Sequence, residues 1–129
     1  MNIDTFRDFC LNKKGVTEEL PFGPDTLVFK VIGKMFALAS LDEIPLRANL
    51  KCDPEKTIEL RETHDQSILP GYHMNKKHWN TIKLDGTVPA KEISRMIDNS
   101  YGLVVKSLKK SERDQLLLHY SEQELFGQQ

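Results

Sequence analysis

Long apolar runs are missing from this 129-residue chain, and so is any cysteine framework. No stretch approaches the roughly 20 consecutive apolar residues that a membrane-spanning helix needs, so no membrane association is expected. Cys10 and Cys52 are too few and too far apart for a disulfide scaffold or a cysteine-based zinc cluster, and each is expected to pack as a small reduced hydrophobe. There is no G-x-S-x-G nucleophile turn, no phosphate-cradling glycine-rich loop and no Cys–His pair in a supporting context. A hydrolase or metalloenzyme would therefore lack convergent titratable groups; neither catalysis nor a cofactor is expected. The acidic opening Met1-Asn2-Ile3-Asp4 does not have the basic, apolar, small-residue order of a secretion signal, which makes the cytoplasm the expected location.

What is present is a globular composition, with 39% hydrophobic and 29% charged residues, enough to bury one core and too apolar for a disordered tail. We expect a single domain over residues 1–118 and a polar tail over 119–129. The net charge of −1 conceals an uneven distribution. Residues 1–65 carry 9 basic and 12 acidic side chains, residues 66–110 carry 8 and 3, and residues 111–129 carry 1 and 4. A basic middle block thus lies between acidic flanks, as either a solvated face or a surface for a polyanion.

The expected elements follow from periodicity and breakers. Ile3, Phe6, Phe9 and Cys10 recur at helical spacing behind an Asn2 cap, and Lys13-Lys14-Gly15 ends that helix. Residues 16–25, with two prolines and Gly23, read as a loop in which Pro21-Phe22-Gly23 lies across the core. Residues 26–32 and 35–40 form a hairpin around Gly33-Lys34. Leu46, Ala48, Leu50 and Cys52 alternate with Arg47, Asn49 and Lys51, so a third strand holds Arg47 and Lys51 in one row. Asp53-Pro54-Glu55 starts a helix to Thr63; residues 68–72 and 79–84 read as strands, the first interrupted by Pro70-Gly71. Past Pro89, the steps Ile93, Met96, Ile97, Tyr101, Val104 and Leu108 give a long amphipathic helix. Ser111 caps a last helical piece through Leu118, and the end from Ser121 is expected to fray. This order implies an α+β two-layer sandwich, an antiparallel sheet with helices packed on one face.

The most distinctive segment is Pro70-Gly71-Tyr72-His73-Met74-Asn75-Lys76-Lys77-His78-Trp79. Its lysines can neutralise phosphates, Asn75 can bond to a phosphate or a base edge, and Tyr72 or Trp79 offers a stacking face. Against that, a sole tryptophan commonly anchors a core and two lysines commonly solvate a turn. His73 and His78 are five apart, which misses the one-face spacing of helical metal ligands, so no metal is expected.

Together, Pro21-Phe22-Gly23, Phe29-Lys30-Val31, Leu50-Lys51-Cys52-Asp53-Pro54-Glu55, the 70–81 segment and Leu84-Asp85-Gly86 resemble the MmcQ/YjbR family over residues 2–110. The resemblance implies a CyaY-like fold similar to frataxin, described as a double wing, and DNA binding. Carried over by position, the candidate DNA-binding residues are Lys30, Lys51, His73, Asn75, Lys76, Lys77 and His78. Iron handling does not carry over, since Asp4 and Asp8 make no dense acidic ridge. The expectation is a DNA-binding module with backbone contacts and weak sequence preference. The alternative is a module for a protein, small anion or nucleotide, using a pocket near Phe22, Lys51 and residues 72–78.

Overall fold

The Asn2 side chain accepts a hydrogen bond from the Thr5 amide at 2.8 Å, and helix α1 (Ile3–Leu11) runs from there with Phe6 and Cys10 on its buried face. The computed structural model describes residues 1–72 and 74–126. After α1 come β1 (Val16–Glu19), β2 (Thr26–Val31), β3 (Lys34–Ser40), β4 (Arg47–Lys51), α2 (Pro54–Thr63), β5 (Ile68–Pro70), β6 (Trp79–Lys83), α3 (Ala90–Ser107), α4 (Lys110–His119) and α5 (Glu122–Phe126). The strands make one antiparallel sheet in the order β1-β2-β3-β4-β6-β5. Helix α3 lies across β2, β3 and β4, while α2 packs beside β5 and β6, so the expected α+β architecture is the one observed. No helix among the described residues is long and apolar enough to cross a membrane.

Residues 32 and 33 close the first hairpin, with Ile32 at φ 46° and Gly33 at φ 74°. A two-residue turn between right-twisted strands needs both central residues in the left-handed region, which a β-branched residue enters only under strain. Ile32 is held there because its side chain packs on the main core. The strand therefore stops at Val31, one residue short of the sequence expectation.

Within the β2–β3 pair, Phe29 faces Ala37 but Lys30 faces Met35, leaving Phe36 as the extra residue of a bulge. Phe36 and Ala37 consequently both point into the core, and Phe36 meets the ring of Tyr101 edge-on at 5.4 Å. A bulge strands backbone groups that an unbroken ladder would satisfy. Ser100, on the buried face of α3, supplies the missing partner: its hydroxyl donates to the Phe36 carbonyl and accepts from the Lys51 amide at 2.9 Å. Burial pushes the Tyr101 phenol up to about 12, Tyr120 adding to the effect, and its hydroxyl donates to the Lys14 carbonyl.

Three expectations need correction. The loop read over residues 16–25 contains edge strand β1, whose Val16 packs on the core while its short, acidic sequence hides the alternation. Phe22 does not lie across the core; it is 65% exposed on the far side of the sheet. Within the end expected to fray from Ser121, residues 122–126 form α5, because Leu125 is only 4% exposed and α5 packs on α3, while residues 127–129 lie outside the described residues. In addition, α4 starts with Lys109 rather than Ser111 as its cap, and Glu112 reaches back to accept from the Lys109 amide.

The sheet's other face carries a smaller cluster of Val28, Leu38 and Trp79, with Met35 and Met74 against it. The connection between β5 and β6 covers part of it. Gly71 makes that possible: its amide donates to the Trp79 carbonyl at 3.0 Å, and a Cβ there would come within 2.8 Å of the Trp79 Cβ. Two predictions follow from this packing. Ser100→Ala should lower stability in urea unfolding by about 1–3 kcal/mol, the cost of unsatisfied buried backbone groups, and an unchanged midpoint would contradict the bridging role. Gly71→Ala should cost about 1–3 kcal/mol through the forced backbone shift and alter Trp79 emission, whereas a neutral effect would show that the loop does not need this approach.

Candidate functional site

Alternation along the strands places Thr26 on β2, Leu38 and Ser40 on β3, Arg47 and Asn49 on β4, and Thr81 on β6 on the face away from α3. Connections from different parts of the sheet fold over this face. The β1–β2 connection brings Phe22, the β3–β4 connection Asp42 and Glu43, and the β5–β6 connection Tyr72 and Met74. Together they enclose a cleft of about 470 Å³. One end is polar, at Ser40, Asp42, Glu43 and Arg47; the other is apolar, at Met35, Leu38 and Met74.

Arg47 is the unusual member. It is half-buried, its Nε is out of reach of solvent, and among the described residues the guanidinium has neither hydrogen-bond partner nor ion pair. Its cross-strand partner is Lys83, a second cation, so the strand register adds repulsion rather than relief. Exposed Arg95 and half-buried Arg113 also lack a side-chain partner among the described residues, but of the two half-buried, unpartnered guanidiniums only that of Arg47 has a nitrogen closed to solvent. Arg7 and Arg61 are paired. Arg7 holds Glu18 through two bonds of 2.8 Å. Arg61 donates to the Asn80 side chain at 2.7 Å, to the Trp79 carbonyl at 3.1 Å and to the Lys76 carbonyl, fixing the end of the β5–β6 connection. Two residues along β4, the Asn49 Oδ1 accepts from the Thr81 hydroxyl, which itself accepts from the Tyr72 amide at 3.0 Å. Asn49 lines the cleft, and with Oδ1 committed its Nδ2 is left as the available donor.

The sequence candidates are partly dispersed. Lys30 lies on the cleft side of the sheet but is 3.4 Å from Glu19, an acid on β1. Lys51 borders a different cleft, of about 390 Å³, between α2 and α3. Lys76 folds back to donate to the Gly71 carbonyl at 3.0 Å. Asn75 is occupied by the turn, its Oδ1 accepting from the Lys77 amide at 2.9 Å. The Lys77 ammonium is exposed without a partner among the described residues, and half-buried His78 accepts at its carbonyl from the Cys52 amide. His73 lies outside the described residues. Of the pocket expected near Phe22, Lys51 and residues 72–78, the cleft brings together Phe22, Tyr72 and Met74, with Arg47 in the place given to Lys51.

Arg47, Asn49, Thr81 and Arg61 were not among the sequence candidates. Alternation put Arg47 and Asn49 on one face of a strand, but whether a guanidinium finds a carboxylate depends on chain-distant neighbours. Among the described residues no cluster of three His, Cys, Asp or Glu side chains is placed to hold a metal ion. Burial pushes both thiols up, that of Cys10 more strongly, which leaves them poor nucleophiles.

Known proteins match this chain along most of its length. Protein YbdF of Escherichia coli O157:H7 is 46% identical over 101 residues, covering 74% of this chain and 75% of its own. Protein YjbR of Escherichia coli strain K12 is 31% identical over 117 residues, 91% of this chain and 98% of its own. Among solved structures, Deinococcus radiodurans protein DR2400 superposes with a TM-score of 0.83 at 48% identity, covering 89% of this chain and 87% of that one. A Pseudomonas syringae protein gives 0.67 at 32% identity, covering 80% and 98%. The YjbR family model matches residues 11–103, from the end of α1 through most of α3, and the chain belongs to the YjbR family.

Proposed function

We propose that the chain is a non-enzymatic binding module that takes up a small anionic ligand in the cleft on the helix-free face of the sheet. The observation that carries this reading is the guanidinium of Arg47, half-buried and without an acceptor. Arginine is seldom withdrawn from water unless paired, because desolvation of the charge must be repaid by hydrogen bonds. A fold that keeps one unpaired, beside Lys83 and within reach of aromatic and thioether side chains, is held ready for an anion from solution. Phe22 and Tyr72, 65% and 60% exposed, add apolar surface for the body of such a ligand.

DNA binding through the β5–β6 connection is the second reading, and Lys77, exposed and unpaired among the described residues, favours it. Counterion release scales with the number of phosphates neutralised, and here Glu19 competes for Lys30 while the Gly71 carbonyl holds Lys76. Among the candidate lysines that leaves the ammonium groups of Lys77 and of Lys51, the latter at a different cleft, which is weak support for a duplex.

Arg47→Gln separates the readings. Without ligand, the variant should melt at the same temperature as the natural chain or higher, because an unpaired half-buried charge is removed. With the monoanion 3-phenylpropionate, the stabilisation seen in the natural chain should fall by about tenfold in apparent affinity, the size of one charge-assisted hydrogen bond. A melting temperature several degrees lower without ligand would make Arg47 a structural residue and contradict the reading. Tight binding of labelled duplex at low salt, lost in Lys77→Glu and kept in Arg47→Gln, would establish the DNA reading instead.

A further inference from the structure

We infer that the ligand of this cleft is a free α-amino acid with an apolar or aromatic side chain, an inference that rests on the anion reading and adds the acids of the β3–β4 connection. Asp42 and Glu43 line the same polar end as Arg47, and among the described residues neither carboxylate has an ion pair or hydrogen bond. Both acids nevertheless stay outside ion-pair distance of Arg47, although they share its wall. One guanidinium and two carboxylates, held apart, suit a ligand that brings an anion and a cation on neighbouring atoms. A ligand with two or more negative charges would meet the acids as well as the arginine, and a simple cation would meet the arginine.

The rest of the cleft fits the same class. Arg47 and Asn49 stand two residues apart on one face of β4, so the guanidinium and the Asn49 Nδ2 can share a carboxylate. The Nδ2 is the available donor because the amide oxygen is held by Thr81. Asp42 and Glu43, at the same end but outside ion-pair distance of Arg47, can accept from an ammonium. The apolar end, with Leu38, Met35 and Met74, receives a hydrophobic side chain, and thioethers adapt their shape to aromatic or branched groups. Phe22 and Tyr72 come from opposite edges of the sheet and flank it.

Trp79, the only tryptophan, packs with Leu38, Met35 and Met74 under this cleft and reports occupancy through its emission. The test titrates the full chain with L-phenylalanine, with 3-phenylpropionate, which lacks the ammonium, and with phenethylamine, which lacks the carboxylate. Phenylalanine should bind at least about tenfold more tightly than either. In Asp42→Asn/Glu43→Gln, phenylalanine should weaken to the level of 3-phenylpropionate, which should itself tighten; in Arg47→Gln, both should weaken by about tenfold while phenethylamine is kept. If 3-phenylpropionate equals phenylalanine in the natural chain, or the acid variant treats them as before, the amino-acid inference is overturned while weakening of both in Arg47→Gln upholds the anion reading. If phenethylamine binds most tightly, or none of the three shifts Trp79 emission, both are overturned.

Discussion

Helices cover one face of this sheet, and the opposite face, with its row of Val28, Leu38 and Trp79, must be kept from water by connections alone. That constraint organises the molecule. An uncovered apolar face invites association, so the chain folds segments from several parts of the sheet across it. Connections bridge such a surface incompletely, because their own backbone groups need partners and cannot pack as densely as a helix. The incomplete closure leaves a cleft with an apolar floor, and the strand register fills its polar end with Arg47, Asn49 and Thr81.

Rigidity beneath that cleft comes from the helix side. Ser100 ties the bulge of β3 to the amide of Lys51 at the end of β4, which locks the relative position of the two central strands. Arg61 does similar work for the β5–β6 connection by holding the carbonyls of Lys76 and Trp79. Both residues act from helices on groups of other elements, so the site side chains stand on strands whose placement is over-determined. The unpaired guanidinium is affordable only on such a frame, since a softer one would relax until a carboxylate reached it.

Much of this was legible along the chain. The stripe from Ile93 to Val104, the Asp53-Pro54 helix start and the β2–β3 hairpin are local patterns, and local patterns survive tertiary packing. The order of the elements carried the two-layer fold. β1 escaped because four residues with two glutamates show too little alternation, and α5 escaped because a single leucine in a polar stretch gives no period. At the site, the 70–79 segment supplies Tyr72 and Met74 to the cleft wall. The candidate lysines attracted notice for their charge, whereas the pairing of Lys30 with Glu19 depends on the register of two strands, and that of Lys76 with the Gly71 carbonyl on the fold of its own connection. The solitude of Arg47 is likewise a property of the folded molecule and has no signature in the local sequence.

Nuclear magnetic resonance of the arginine side chains examines the central claim directly, because the molecule contains its own standard. Arg7, bonded twice to Glu18, defines the Nε–H signal of a carboxylate-paired guanidinium. Without ligand, the Arg47 Nε–H signal should lie apart from that of Arg7, and on addition of L-phenylalanine it should move towards it while Arg7 stays still. An Arg47 signal that already matches Arg7 in the free protein, or that ignores every small anion offered, would contradict the account.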